Sequence, residues 1–354
     1  MAESFCIIYL GRRGGGLHLA AAIQESLSRS SKEYFWVLSR ERSTNDQYFK
    51  KILHEGRYSL KSLVFSLGIF PLLDAYRSYK KIRFHRISHV IFLMPHPLDF
   101  VLRILCKFAN LQIESVIHDY DRHTGDHWPL KFYTKLCIHH STRILVLSNF
   151  TASQIRKDFP EATIRALKHP TMRLGNPKIL EECKNVNDKS VVFLAVGRIR
   201  DYKGLDSLQE SWNIFQGKYS TTATLIIAGE GSFKKNNHSP GLVVVNRWLS
   251  DEELAWLVKR AQVFVFNYMD ASQSGFLSFK EITSKIIIAT GVGGLQEQLP
   301  KNAIVIQPNN PKEMASVFHR TLVKIEESAS GSNDLLNLTT FDNSNAFLTD
   351  YLLE

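Results

Sequence analysis

Short, nearly unbroken apolar runs alternate along the chain with longer segments whose apolar residues recur at helical spacing. The short runs predict strands at Phe5–Leu10, Tyr34–Leu38, His89–Leu93, Ser115–His118 and Arg143–Leu147. A second series follows at Ser190–Val196, Ala223–Ala228, Leu242–Val245, Val263–Phe266, Ile286–Ala289 and Ala303–Ile306. Several of these lack the in–out alternation of a strand with one wet face. Parallel strands covered by helices on both sides are therefore expected. Strand–helix alternation that occurs twice predicts an α/β protein of two Rossmann-like, doubly wound parallel sheets. A length of 354 residues suits two domains. The pattern breaks near His169–Lys189, with Pro170, Gly175 and Pro177, which places the domains at 1–171 and 172–339. The final stretch, 340–354, ends in an apolar run that suits a helix.

Composition narrows the class. Apolar residues make up 44% and charged residues 22%, as in globular proteins. No uncharged apolar run reaches membrane-spanning length; the nearest, Ser62–Ala75, is interrupted by Gly68, Pro71 and Asp74. The start has no basic segment ahead of an apolar one, so no secretory leader is expected. Cys6, Cys106, Cys137 and Cys183 show no paired spacing and are expected to be reduced core thiols in a cytoplasmic setting. The net charge of +10 is lopsided, because residues 1–170 hold 25 of the 44 Lys and Arg but only 14 of the 34 Asp and Glu. An anionic partner for the first half follows, or a merely soluble basic face. Residues 50–86 carry nine of these cations around an apolar run, which fits either an anionic membrane surface or an ordinary core segment. No helix-turn-helix, zinc or aromatic RNA-binding motif accompanies the charge, so nucleic acid is not an expected partner.

Four segments bear chemistry. Gly11-Arg12-Arg13-Gly14-Gly15-Gly16 follows the first strand and precedes an Ala-rich helical stretch. Glycines there permit close backbone approach by a ligand, or form a plain tight turn; the spacing is not that of a dinucleotide site. Gly197-Arg198-Ile199-Arg200-Asp201-Tyr202-Lys203 follows the strand that opens the second half. Arg198 and Lys203 can grip a diphosphate from that strand edge, or be solvated surface charges. Ser272-Gln273-Ser274-Gly275, ahead of an expected helix at Phe276–Ile282, offers amides and hydroxyls to a phosphate, or simply caps the helix. His118 ends a strand and opens a loop with His123, His127, Asp119, Asp121 and Asp126. That loop lacks the helical His spacing of a metal site and is read as a polar loop, with no metal.

In order and spacing these pieces resemble the group 1, or family four, retaining glycosyltransferases. The resemblance rests on GRIRDYKG (197–204), LIIAGEG (225–231), RWLSDEELAWLVKRAQVFV (247–265), YMDASQSGFLSF (268–279) and IIIATGVGGLQE (286–297). VIHDYDRHTGDHW, VLSNFTASQIRKDFP and LKHP are similar to family segments in the first half. It implies a GT-B architecture, in which the two domains face each other across a cleft and 340–354 returns to the first. It implies a nucleotide-sugar as substrate, with no separate cofactor, and a saccharide or lipid-linked saccharide acceptor in surface polysaccharide synthesis. Arg198 and Lys203 would neutralise the leaving diphosphate, and amides at Gln273, Ser274 and Gly275 would hold its distal phosphate. Gly197, Glu230 and Ser272 belong to the same donor-side motifs. Main chain near Arg247 and Trp248 would meet the base, His118 the donor sugar, and Gly14, Gly15 and Gly16 the acceptor side.

One departure stands out. The family's donor segment usually carries two glutamates, the second gripping the ribose. Aligning on Gly275 places Ser272 and Lys280 there, and a lysine cannot accept a hydroxyl proton. Glu281 is adjacent, about 100° away on a regular helix. A non-catalytic scaffold of the same fold is therefore the alternative to an enzyme.

Overall fold

The chain was described from a computed structural model covering residues 4–11, 14–39, 59–63, 70–121, 130–233, 239–282, 284–329 and 347–353. Its described residues form two compact units, one within Met1–Met172 joined by the C-terminal helix, the other within Arg173–Asp342.

The first unit is built on parallel strands β1 (Phe5–Tyr9), β2 (Tyr34–Ser39), β3 (Ser59–Leu63), β4 (His89–Phe92), β5 (Gln112–Ile117), β6 (Arg143–Val146) and β7 (Ile164–Ala166). Their order across the sheet is β3-β2-β1-β4-β5-β6-β7. Every residue of β1 is buried, because its alternate side chains enter two different cores. Phe5, Ile7 and Tyr9 pack with helix α1 (Gly15–Leu27), while Cys6 and Ile8 pack with α2 (Phe70–Phe84) and α3 (Phe100–Phe108). α4 (Leu130–His139) and α5 (Asn149–Asp158) cover the far end of the sheet. Ser148 starts α5 by accepting the Thr151 N–H at 3.1 Å. All four cysteines are buried and unpaired by disulfides.

The last helix, α10 (Leu348–Leu353), belongs to this unit. Leu348 and Leu352 enter the core beside α1. Tyr351 donates a 2.5 Å hydrogen bond to Glu114 Oε1, which also takes Arg143 at 2.9 Å. Burial works to raise the Glu114 carboxyl, but His89 close by at 3.4 Å, the Tyr351 hydrogen bond and the charge of Arg143 outweigh it and hold it below its usual range.

The second unit has strands β8 (Val192–Val196), β9 (Thr224–Ala228), β10 (Leu242–Val245), β11 (Val263–Phe266), β12 (Ile286–Thr290) and β13 (Ile304–Ile306), all parallel. Their order is β10-β9-β8-β11-β12-β13. Helices α6 (Leu205–Tyr219), α7 (Asp251–Arg260), α8 (Leu295–Gln298) and α9 (Pro311–Ala329) flank it. Phe193, Trp212, Phe215 and Phe318 form one aromatic cluster between sheet, α6 and α9. Ser250 and Glu253 close a capping box at the start of α7.

Both sheets thus have the doubly wound order 3-2-1-4-5-6, the first with a seventh strand added. In that order the chain leaves the first and fourth strands toward opposite sides of the sheet, opening a crevice at their carboxyl ends. The crevice lies after β1 and β4 in the first unit and after β8 and β11 in the second.

Candidate functional site

In the second unit the crevice is formed by the turns after β8 and β11. Gly197, Arg198 and a 3-10 turn at Asp201–Lys203 follow β8, and Asn267–Ser274 follows β11. Gly204 ends the 3-10 turn in a left-handed conformation (φ 59°), and a Cβ there would lie 2.4 Å from the Asn267 carbonyl. Only glycine lets the two turns approach that closely. Asn267 secures the approach by donating to the Gly204 carbonyl at 2.7 Å, and the Met269 N–H donates to the Tyr202 carbonyl.

Between the turns lies a shallow recess, partly open to solvent, lined among others by Gly197, Ile199, Lys203, Asn267 and Tyr268. Lys203 Nζ lies 3.5 Å from where a Cβ on Gly197 would stand, so the bare Gly197 backbone faces the cation. The ammonium donates to the Tyr268 hydroxyl at 2.5 Å and lies 3.9 Å from that ring's centre. Tyr268 OH is in turn 3.4 Å from Ser274 Oγ. Burial lowers the Lys203 pKa to about 8; neighbouring Tyr202 opposes this shift and the charge of Arg198 adds to it. Arg198 itself is exposed. The two expected cations therefore lie near one another, Lys203 half-buried against Tyr268 and Arg198 facing water.

The donor segment differs from its expected form. Phe276–Ile282 is not an α-helix but two 3-10 turns, Gly275–Ser278 and Lys280–Ile282. Leu277 and Phe279 are buried there and Phe276 half-buried, with the Phe276 and Phe279 ring centres 5.7 Å apart. So short a turn has little dipole to offer a phosphate. The Ser274 amide moreover donates to Gln298 Oε1 at 2.6 Å. Ser272 and Ser274 are buried, and Gln273 is half-buried with Oε1 finding no donor in the protein. Lys280 is exposed, whereas the half-buried Glu281 turns inward. Its Oε1 accepts the Leu174 amide at 3.2 Å, and its buried Oε2 meets no donor. Buried carboxylate oxygens are rarely left so.

The Arg247 side chain serves structure. It bridges Glu182 (2.6 Å) and Glu253 (2.7 Å) and donates to the Trp248 carbonyl, tying the turn after β10 to the start of α7. Trp248 is 40% exposed. The Glu230 side chain is exposed, and its carbonyl accepts the Ile199 amide at 2.8 Å.

In the first unit the glycine segment wraps a tyrosine. A Cβ on Gly11 would lie 2.4 Å from the Tyr9 hydroxyl, and one on Gly16 would strike both Tyr9 and Met94. Gly14 is in the left-handed region (φ 83°) and starts α1. Gly15 alone of the set is exposed, with nothing within 4 Å of a Cβ. Close packing thus explains Gly11 and Gly16, and Gly15 is the one open to a ligand. His118, at the carboxyl end of β5, is buried and donates from Nε2 to the Leu93 carbonyl at 3.1 Å, which leaves Nδ1 an acceptor. Burial lowers its pKa, outweighing Asp119 and the Leu93 hydrogen bond; burial also holds His169, whose ring centre is 6.5 Å away, at about 3. A buried Asp99–Arg103 pair at 2.7 Å, with Ser115 on the guanidinium at 2.6 Å, pins the turn after β4. His123, Asp126 and His127 lie outside the described residues, and among those described no group of His, Cys, Asp and Glu is arranged to hold a metal.

Tyr268, Gln298 and His169 are not singled out by the sequence as site residues. Tyr268 has the best signal, an aromatic two residues after a predicted buried strand at the ligand edge.

Residues 190–323 match the family model described as glycosyl transferases group 1. No curated protein matches the chain in sequence. Among solved structures it is similar to a glycosyltransferase from Rickettsia africae (TM-score 0.63, 13% identity, covering 92% of this chain and 89% of that one). It is also similar to the lipopolysaccharide outer core galactosyltransferase WaaB in its apo form (TM-score 0.60, 16% identity, covering 92% and 91%). The Anabaena protein HepE in complex with UDP gives a TM-score of 0.61 at 11% identity, covering 93% and 92%. The chain has the two-domain α/β fold of GT-B glycosyltransferases, and its residues 190–323 are similar to the group 1 glycosyl transferases that the family model describes.

Proposed function

We propose that the protein is a glycosyltransferase that takes a sugar from a nucleoside-diphosphate donor held by the second unit and passes it to an acceptor on the first. The observation that carries this reading is the Lys203 ammonium, held at the crevice of a doubly wound sheet beside Arg198, inside the segment that matches the family. A diphosphate gains negative charge as its bond to the sugar breaks, and cations already in place stabilise that charge without reorganising. The anomeric C–O bond breaks with its electron pair passing to the diphosphate oxygen. The acceptor hydroxyl oxygen forms the new bond, and its proton passes to the departing diphosphate. Attack from the same face would retain configuration and need neither an enzyme nucleophile nor a metal. Neutral His118 would accept a sugar hydroxyl at Nδ1, Gly15 would face the acceptor, and Glu281 Oε2 would accept the ribose hydroxyls in place of the residue at 280. A lipid-linked saccharide used in surface polysaccharide synthesis at the inner membrane face is the acceptor class that fits the resemblance.

The scaffold alternative has its own support, since Lys203 and the Ser274 amide already have partners within the protein. Turnover separates the two. Across a panel of nucleotide-sugars, one donor should be hydrolysed slowly, and Lys203→Ala should cut that rate about 10²- to 10³-fold, with the protein still folded at the assay temperature. Binding of no donor and no nucleoside diphosphate would leave the scaffold reading.

A further inference from the structure

Helix α2 has a buried face of Asp74, Ala75, Ser78 and Ile82 at helical spacing, with Ala75 and Ile82 packed into the core beneath the sheet. Its opposite face carries four large apolar side chains in the open. Leu72 is 54% exposed, Leu73 46%, Tyr76 50% and Phe84 82%. Arg77, Lys80, Lys81 and Arg83 are exposed on the same half of the helix circumference. The helix has one acidic residue, Asp74, which is buried and pairs with Arg77 at 3.3 Å, so no acid lies on the outward face. Lys80 Nζ stands over the Tyr76 ring, 5.7 Å from its centre.

We propose that this face of α2 docks on an anionic lipid bilayer, with the helix lying in the interface plane. Such a helix sinks its apolar side chains to the acyl boundary while lysine and arginine reach the headgroup phosphates. Leu73, Tyr76 and Phe84 are separated by three and eight residues, about one and two turns, so all three point into the bilayer together. The cations lie among and beside them, where each meets a lipid phosphate. Two other occupants fit less well. A second copy of this chain, placed symmetrically, would bring like charges face to face with no acid between them. A nucleic-acid backbone would satisfy the cations but leave four large apolar side chains against phosphate and sugar. The lipid surface answers both halves of the face, and it goes beyond sugar transfer because it holds whether or not the protein turns over a donor. The sequence points to 50–86 as a whole. Residues 50–58 and 64–69 lie outside those described; among the described residues the outward apolar and basic set runs from Leu72 to Phe84, with Arg86 just beyond.

Co-sedimentation of the full chain with large vesicles tests this, using phosphatidylcholine alone and equal parts phosphatidylcholine and phosphatidylglycerol. Binding is expected to the mixed vesicles alone, and to weaken as salt is raised. Reversing charge in Lys80→Glu/Lys81→Glu/Arg83→Glu should lower partitioning about a hundredfold. Tyr76→Ser/Phe84→Ser, which leaves every charge in place, should lower it about tenfold. Each altered side chain is exposed, so circular dichroism and melting of both variants should match the parent. No binding to mixed vesicles overturns the proposal. Binding that survives the charge reversal also overturns it, as does binding indifferent to loss of the two aromatics, the behaviour of a nonspecific polyanion site. Equal, aromatic-independent binding to a short RNA duplex would overturn it as well.

Discussion

Lys203 is where the chemistry of single residues is most concentrated. Its half-buried side chain packs against Tyr268 with Arg198 nearby, and desolvation brings its pKa down to about 8. A bound diphosphate favours the charged form, so below pH 8 the cation is ready and above it binding must take up a proton. Affinity for inorganic pyrophosphate should therefore decline as pH rises through 8, and calorimetry either side of that value should show it. Lys203→Arg, which stays charged, should abolish the decline; a decline that persists would assign it to another group. The same shift has the opposite sense for folding. Burying the charge costs stability at pH below 8, and the cost is relieved as pH rises from about 8 toward the ordinary lysine value of 10.5. Glu281 makes a second residue-scale case. Its Oε2 is buried with no donor, while Lys280 is exposed. Glu281→Gln should weaken a nucleoside diphosphate by about 1–3 kcal/mol and leave pyrophosphate binding nearly unchanged, because the ribose contact alone is lost. Lys280→Ala should alter neither strongly. If Lys280→Ala erases the preference for ribose over deoxyribose and Glu281→Gln does not, the assignment is reversed.

Among the elements, α10 shows how a short terminal segment becomes part of a distant core. A six-residue helix does not persist in water on its own. Here Leu348 and Leu352 are buried beside α1, the Leu348 amide donates to the Lys168 carbonyl at 2.9 Å, and Tyr351 joins the Glu114–Arg143 pair. Leu352→Ala should cost about 2–4 kcal/mol, read as a lower urea midpoint. Tyr351→Phe should cost about 1–2 kcal/mol at neutral pH. Glu114 is held below its usual value by these partners, so its contribution is complete above pH 4.5 and lost as pH falls through its lowered folded value. The Tyr351→Phe deficit should accordingly shrink in acid. A Leu352→Ala protein as stable as the parent would show that α10 merely rests on the surface. The donor-segment turns behave in the reverse way. Phe276–Ile282 is expected to be a helix, yet the segment folds as two 3-10 turns.

For the molecule as a whole, the strands that sit between two neighbours under helices were legible, because burial on both faces demands an unbroken apolar run that nothing else in a soluble chain requires. The exceptions lie where that demand lapses. β3 (SLKSL) and β7 (IRA) are edge strands, and β5 begins at Gln112, ahead of its apolar run, because Glu114 is buried as an ion pair rather than as a hydrocarbon. The cations at 198 and 203 were legible for a related reason, since chemistry in this kind of sheet gathers at the carboxyl ends of strands and both follow one. Their unequal burial was not legible, nor were Tyr268 above Lys203 and Gln298 on the Ser274 amide. Those partners come from other segments, the turn after β11 and helix α8, 65 and 24 residues away along the chain. Order along the chain determined which segments become strands and which residues stand at their ends. Only the tertiary structure decided which side chains meet there, because a contact between distant segments depends on how two turns pack, and that packing leaves no period in the sequence.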